Sequence, residues 1–130
     1  MHSRREQGRN LMREILGETY FDARERSTSD FNAPLRQLSE ESAYGFVWNR
    51  LGLDRRTRSL LCLAMLTALN RPEELGMHLQ GALNNGATVE EIRETLLQTA
   101  IYCGIPAAID STRAAEQFLR GQGLIDDKMD

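Results

Sequence analysis

Residues 54–86 decide the fold and read DRRTRSLLCLAMLTALNRPEELGMHLQGALNNG. The first part predicts a helix over about 54–69 whose segment Leu60–Leu69 is apolar on nearly all sides, so we expect burial on nearly all sides. Full burial of one helix is hard to arrange in a single small domain, which hints at the core of an oligomer. The second part predicts a helix over about 72–85, because a proline suits its first turn and Gly86 ends it.

The rest of the chain also follows helical patterns, since only three prolines interrupt it and no segment sustains the period-two alternation of a strand. The further predicted helices span about 3–16, 29–44, 88–103 and 107–120, and residues 18–30 are predicted to be turn-like. Gly17 ends the first helix, and Thr88 with Glu91 forms a capping box at the start of the fifth. The sequence therefore predicts an all-α single domain, residues 1–130, with five to six helices and a core over about 30–120.

Two sets of side chains are expected to pack inside the protein. Phe31, Leu35 and Leu38 form the apolar face of the second predicted helix. Cys62 and Cys103 lie in apolar runs, and the absence of any C-x-x-C excludes a dithiol redox centre and a zinc knuckle. We therefore expect two reduced, buried thiols in a cytoplasmic protein.

Charge and composition exclude several classes of function. Sixteen basic against nineteen acidic residues give a net charge of −3, so the basic surface of a nucleic-acid binder is not expected. The charged N-terminus lacks the apolar run of a signal peptide, and the longest apolar run, Leu60–Leu69, is too short to cross a bilayer. The only lysine, Lys128, lies near the end of the sequence, so Schiff-base chemistry is not expected either.

Glu74 and His78 are the first candidates for chemistry. They lie four residues apart on a predicted helix, so their side chains share one face. A carboxylate beside a partly buried imidazole favours the charged imidazolium, which is the pairing of a positioned general acid or base. The same spacing also fits an ordinary helix-stabilising ion pair. Because the other histidine is His2, no two-histidine metal site is expected within one chain.

Four arginines cluster between Trp48 and the apolar helix, namely Arg50, Arg55, Arg56 and Arg58. Guanidinium groups bind carboxylates in a two-pronged geometry, and the start of the following helix adds a dipole that favours an anion. The alternative is a solvated, positively charged helix start. A small patch of this kind on a chain of net negative charge does not favour nucleic acid.

Several short stretches carry a resemblance to a known family. They are Arg56–Leu60 with Ala64–Leu66, Asn70-Arg71 with Glu74 and His78-Leu79, Asn84-Asn85-Gly86, Ala100–Ala108, Asp30-Phe31-Asn32 and Trp48. Their order and spacing resemble the carboxymuconolactone decarboxylase family over about residues 30–118. The resemblance implies an all-α, alkylhydroperoxidase-D-like fold that assembles into a homo-oligomer, with a hexamer expected first and a trimer second.

The resemblance also implies which chemistry is absent. Dithiol peroxidases of the wider superfamily carry a C-x-x-C motif, a histidine four residues after the second cysteine, and a glutamate upstream. In this sequence Arg71 and Glu74 stand at the cysteine positions, His78 at the histidine and Ser59 at the glutamate. Dithiol peroxidase activity is therefore not expected, and the charged replacements suit an anionic substrate.

The family's reaction is the cofactor-independent decarboxylation of γ-carboxymuconolactone to β-ketoadipate enol-lactone, in the protocatechuate branch of aromatic degradation. The resemblance implies that His78 donates the proton or stabilises the dienolate, and that Glu74 orients His78. Arg58 first, and Arg71 second, would bind a carboxylate of the dianionic lactone, and Trp48 would form a wall of the pocket. No metal or other cofactor is implied.

Two other interpretations stay open at this point. The chain could be a helical oligomer without catalysis that binds a small anion or a partner, with Glu74 and His78 as interior structure. It could also be a decarboxylase or lactone-processing enzyme for a differently substituted lactone. The pocket-lining residues that would distinguish them are not identified by the sequence.

Overall fold

Seven α-helices and one π-helical segment build the part of the chain that the computed structural model describes, residues 2–126. In chain order they are α1 (Arg4–Leu16), α2 (Glu18–Arg26), α3 (Ala33–Leu38), the π segment (Ser39–Val47), α4 (Arg55–Ala68), α5 (Pro72–Asn84), α6 (Val89–Tyr102) and α7 (Ile105–Gly121). No strand occurs in residues 2–126. The all-α class is confirmed, whereas the predicted number of five to six helices is too low. Lys128 and the rest of the polar tail lie outside the described residues.

Residues 18–30, predicted to be turn-like, contain the helix α2. Gly17 adopts φ +95° and ends α1 as predicted, and α2 begins at the next residue. The prediction is wrong here because α2 has one buried apolar side chain, Phe21, which is 1% exposed. A single apolar anchor in a short polar helix leaves no periodicity for sequence analysis to detect.

The predicted helix over 29–44 is divided into α3 and the π segment, which follow one another without a break. Its expected apolar face is not buried: Phe31 is 96% exposed, and Leu35 and Leu38 are exposed as well. Tyr44 is one of the residues buried instead. Phe31 lies in the turn before α3, and α3 buries none of its residues because the π segment, not α3, packs on α1. In the π segment hydrogen bonds join residues five apart, so a 3.6-residue period does not select its buried face.

α1 crosses the π segment closely because glycines lie at the crossing. A Cβ atom at Gly8 would overlap the carbonyl oxygen of Glu40, and one at Gly45 would overlap that of Arg4. Around the crossing lies the N-terminal cluster, formed by Leu11, Met12, Ile15, Leu16, Phe21, Tyr44 and Trp48. Cys62 of α4 packs at the margin of this cluster, which joins the N-terminal helices to the rest of the fold.

The same crossing holds a buried carboxylate. Glu40 is 1% exposed, and its oxygens accept hydrogen bonds from Nε of Arg5 at 2.7 Å, Nη1 of Arg9 at 2.9 Å and Nη1 of Arg24 at 2.6 Å. Burial raises the pKa of Glu40, but the hydrogen bonds from Arg24 and Arg5 and the charge of Arg9 outweigh it and hold the pKa below its usual range. The three guanidinium groups thus tie α1 and α2 to the π segment.

The four helices α4 to α7 pack together as the second half of the fold. Their shared core consists of Leu63, Leu75, Leu79, Ala82, Ala87, Ile92, Leu96 and Ala115. Inside it, the hydroxyl groups of Thr67 on α4 and Ser111 on α7 form a hydrogen bond of 2.8 Å. A buried polar pair of this kind fixes how α4 lies on α7, because either hydroxyl would be left unpaired by a shift.

α4 is only partly buried, contrary to the expectation for Leu60–Leu69. The buried series is Ser59, Leu63 and Thr67, and the exposed apolar series is Leu61 (45%), Met65 (54%) and Leu69 (67%). Both series repeat every four residues, so they mark two faces of the helix. The expectation is wrong for a single chain because the neighbouring helices cover only part of the circumference of α4.

The turn between α6 and α7 corrects two expectations. Cys103 is exposed, since it ends α6 just before Gly104 turns the chain at φ +106°. α7 begins at Ile105 rather than at about residue 107, because Pro106 fits the first turn of a helix, where a proline loses no hydrogen bond. Both cysteines are free thiols as predicted, and Cys62 is partly buried.

Other local predictions hold. Thr88 and Glu91 form the predicted capping box at the start of α6, and Pro72 lies in the first turn of α5. Among the helices of residues 2–126, none combines the length and apolar character that crossing a bilayer demands.

Candidate active site

α5 carries Glu74 and His78 one turn apart. Leu75 and Leu79 anchor this helix in the core, where both are fully buried. His78 lies beside the apolar face and is partly buried, whereas Glu74 is exposed. Glu74 acts on His78 through its charge rather than through a hydrogen bond. The helix therefore brings the two candidate catalytic residues onto one side, as the spacing predicts.

The protonation state of His78 differs from the expectation. Burial lowers the pKa of His78 below its usual value, and the charge of Glu74 offsets this effect only in part. The prediction that His78 favours its charged form is therefore wrong. Glu74 is exposed, so the surrounding water weakens the effect of its charge on His78. A neutral His78 has one ring nitrogen that donates a hydrogen bond and one that accepts a proton.

The arginine cluster separates into paired and unpaired members. Arg55 forms an ion pair of 3.2 Å with Glu14 of α1, and Arg56 forms one with Glu91 of α6. Both hold α4 to its neighbours. The guanidinium of Arg50 lies 5.4 Å from the centre of the Phe46 ring, a cation–π contact.

Arg58 is the exception in this cluster. Its side chain forms no ion pair within residues 2–126, and its Nε atom is the one buried side-chain nitrogen or oxygen there without a hydrogen-bond partner. A buried donor without an acceptor destabilises the fold by about 1–3 kcal/mol. Buried polar groups are nearly always hydrogen-bonded, so this donor sets Arg58 apart from the other arginines of the cluster.

The antiparallel pair of α4 and α5 sets the order of the candidate residues along its axis. The helices are joined by residues 69–71, and the hydrogen bond between Asn85 and Ser59 fixes their relative level. His78 consequently lies between the levels of Cys62 and Leu66, and Arg58 lies roughly 6–12 Å further along α4. His78 and Arg58 therefore belong to the same helix pair, about one to two turns apart.

Arg71 and Glu74 line one cleft of about 310 Å³, together with Asn70, Pro72 and Glu73. Asn70 has φ +57°, which is a left-handed backbone conformation that asparagine tolerates. Arg71 is exposed and has no ion-pair partner within the described residues. The cleft lies where α4 ends and α5 begins, one turn before His78.

Trp48 lies in a different environment. It is 7% exposed and stacks on Tyr44, with ring centroids 5.7 Å apart and planes inclined by 8°. Neither the Arg71 cleft nor a cleft of about 600 Å³ at the start of α4 is lined by Trp48, His78 or Arg58. Neither cleft thus collects all of the predicted site residues.

No group of three or more histidine, cysteine, aspartate or glutamate side chains could hold a metal ion in the part of the chain that the structure describes.

Comparison with known proteins decides the family. Residues 35–117 match the carboxymuconolactone decarboxylase family. The chain belongs to this family. It is also 37% identical over 126 residues to a 4-carboxymuconolactone decarboxylase of Acinetobacter baylyi, an alignment that covers 97% of this chain and 94% of the relative. The family prediction is thereby confirmed.

Two further relatives differ in what is known of them. A nitrosuccinic acid decarboxylase of Metarhizium robertsii is 42% identical over 106 residues, which are 82% of this chain and 74% of the relative. An uncharacterized 15.0 kDa protein of Paracoccus denitrificans is 43% identical over 70 residues, or 52% of each chain. This chain is thus similar to decarboxylases that are named for different substrates.

Sequence reasoning missed the contacts of two residues at the end of α5. Asn84 donates a hydrogen bond of 2.8 Å to the Ile15 carbonyl oxygen, and Asn85 donates one of 2.9 Å to Ser59 Oγ. The stretch Asn84-Asn85-Gly86 carried part of the family resemblance, but its contacts lie 69 and 26 residues away in sequence and could not be inferred from it.

Proposed function

We propose that this chain is a cofactor-independent decarboxylase that converts γ-carboxymuconolactone to β-ketoadipate enol-lactone. The observation that carries the proposal is similarity to the Acinetobacter 4-carboxymuconolactone decarboxylase over nearly the whole of both chains. The buried Nε of Arg58, which has no hydrogen-bond partner within residues 2–126, supports the proposal further. The substrate is a dianion, and its carboxylates need a cationic side chain that binds them.

The lactone is its own electron sink in this reaction. The bond between the ring carbon and its carboxylate breaks, carbon dioxide leaves, and the electron pair moves through the ring double bond onto the lactone carbonyl. A proton then adds to the carbon next to that carbonyl. The enzyme must therefore stabilise a dienolate oxygen and deliver one proton to carbon, tasks that preorganised hydrogen-bond donors perform well.

His78 is the proposed partner of the dienolate. A neutral imidazole offers one N–H to the oxygen, and after taking up a proton it can deliver that proton to carbon. Burial, which lowers the pKa of His78, supports this role because a weakly basic imidazole is a stronger acid once it is protonated. Glu74 orients the ring and supports its charged form through space.

Arg58 is proposed to bind a substrate carboxylate through its forked N–H groups, with Arg71 as the second candidate. Trp48 is proposed as a wall that excludes water. Its cluster supports this role, since Cys62 of α4, the helix that also carries Arg58, packs at its margin. Burial raises the pKa of the Cys62 thiol, which argues for a packed rather than a reactive group there.

Direct turnover tests these assignments. We expect His78→Ala to lower kcat by about 100-fold or more, the usual range for a lost acid or base, and Glu74→Gln to lower it less. The assay follows the ultraviolet absorbance of enzymatically generated γ-carboxymuconolactone. His2→Ala is the control for a histidine outside the site. Near wild-type rates in both folded variants would reject the mechanism.

A nitrosuccinic acid substrate is the second candidate, favoured by the identity of 42% to the Metarhizium decarboxylase. A nitro group beside a carboxylate accepts the electron pair of decarboxylation as an unsaturated lactone does. Both candidates are dicarboxylates, so the comparison of kcat/KM for the two compounds decides between them. A protein that turns over neither compound but binds a small anion would favour the interpretation of the chain as a non-catalytic binding protein.

A homo-oligomer, hexamer first and trimer second, is part of the proposal. Support comes from the exposed Leu61, Met65 and Leu69 on α4 and from the exposed Leu97, Ile101, Ile105 and Ile109 around the turn of α6 and α7. Light scattering that shows a stable monomer would contradict it. A cytoplasmic location is also proposed and is supported by the two free thiols.

A further inference from the structure

Two neighbouring asparagines tie the end of α5 to different helices. Asn84 donates its hydrogen bond to Ile15 of α1, whereas Asn85 donates to the hydroxyl of Ser59 on α4 and lies 3.5 Å from the Arg55 carbonyl oxygen. Ser59 is 1% exposed. The hydrogen bond from Asn85 is therefore partly buried and holds the end of α5 to the first turns of α4.

We propose that Asn85 is a positioning residue for Arg58 and acts through Ser59. Ser59 follows Arg58 directly in the chain, so fixing its hydroxyl fixes the backbone from which Arg58 projects. The inference rests on the proposed role of Arg58 as the ligand of a substrate carboxylate.

The other contacts that hold the start of α4 are more exposed than the hydrogen bond from Asn85 to Ser59. Asp54, which is exposed, caps the helix with a hydrogen bond of 2.7 Å to the Thr57 N–H, and Arg55 pairs with the exposed Glu14. Arg56 pairs with Glu91 with about two-fifths of its side chain exposed. Water competes for each of these contacts, which weakens their hold on the backbone. The tie from Asn85 to Ser59 is better shielded and more restrictive.

Arg58 depends on its backbone position because its Nε atom has no hydrogen-bond partner among residues 2–126. A carboxylate binds the guanidinium edge as a fork, which demands that both N–H groups lie in one plane with the ligand. A shift of the first turns of α4 would misplace this edge without removing any charge. Loss of Asn85 should therefore weaken substrate binding and leave the chemical step unchanged.

The first test is spectroscopic and needs no substrate. The shielded Nε–H of Arg58 should give a slowly exchanging signal in the ¹H–¹⁵N spectrum, which Arg58→Lys assigns by its loss. We expect Asn85→Ala and Ser59→Ala to shift or broaden that signal, since each removes the same hydrogen bond. Asn84→Ala is the matched control and should leave the signal in place. An unchanged signal in both Asn85→Ala and Ser59→Ala overturns the proposal.

The second test separates binding from chemistry. We expect Asn85→Ala to raise KM by about two- to tenfold, the usual effect of one hydrogen bond, with kcat unchanged. In an Arg58→Lys background the same change should add nothing, because the residue through which Asn85 acts is already lost. Fully additive effects on KM, or an equal rise in Asn84→Ala, would contradict the proposal. A wild-type protein that turns over neither substrate rejects the proposed function, while the spectroscopic result still decides the role of Asn85.

Discussion

The crossing of α1 with the π segment and the pair of α4 with α5 use arginine in opposite ways. At the crossing, Arg5, Arg9 and Arg24 converge on the buried carboxylate of Glu40. In the helix pair, Arg58 buries its Nε without an acceptor among residues 2–126. The arginines at the crossing hold a carboxylate of the chain and stabilise the fold, whereas Arg58 is the arginine that we propose to bind a carboxylate of the substrate.

Removal of the Glu40 carboxylate is expected to have the largest effect. Glu40→Ala leaves three guanidinium groups around a buried position, and we expect the free energy of unfolding to fall by about 3–5 kcal/mol in urea titrations. Glu25→Ala is the matched control, because Glu25 pairs with Arg9 at the surface and should lose no more than about 1 kcal/mol. Equal losses in the two variants would show that the Glu40 group is no stronger than a surface pair.

Replacement of Arg58 should have the reverse effect, since it should weaken substrate binding without lowering the stability of the fold. We expect Arg58→Lys to raise KM by about tenfold or more, since lysine cannot form the forked, charge-assisted contact. The free energy of unfolding should not fall and should rise by up to about 1–3 kcal/mol, because the variant removes the unpaired Nε donor and breaks no ion pair within residues 2–126. Arg55→Lys, on the same helix but paired with Glu14, should leave KM unchanged. An unchanged KM in Arg58→Lys removes Arg58 from the binding role.

His78 should give the smallest effect on stability, and this effect should appear only as a dependence on pH. Because folding lowers the pKa of His78, the unfolded chain takes up a proton below about pH 6.5 more readily than the folded protein does. Stability is therefore complete above that pH and falls as the pH drops toward the folded pKa. Urea titrations at pH 8, 7 and 6 should show a smaller fall for His78→Gln than for the wild type. The same fall in both proteins would show that His78 is not responsible, and His2→Gln serves as the control.

Local signals in the sequence were sufficient for α5 and α6. A proline in the first turn, a capping box and Gly86 are short-range features, and the structure has each of them in place. Glu74 and His78 followed from the same kind of information, because a spacing of four residues on a helix fixes their common side.

Pairing over long distances could not be predicted. Four arginines near residues 50–58 were equivalent in the sequence, yet Arg55 and Arg56 find glutamates 41 and 35 residues away. The apolar pattern also misled over Phe31, because Phe31 lies in the turn before α3 and only the later π segment packs on α1. The lowered pKa of His78 likewise depends on tertiary burial, which a four-residue spacing does not report.

The stack of Trp48 on Tyr44 has a spectroscopic consequence. Trp48 is the only tryptophan of the chain and belongs to the N-terminal cluster, so its fluorescence reports on that half alone. Circular dichroism, in contrast, averages over all the helices. Unfolding curves from the two signals should coincide if the halves melt as one cooperative unit, and they should separate if the N-terminal helices detach first.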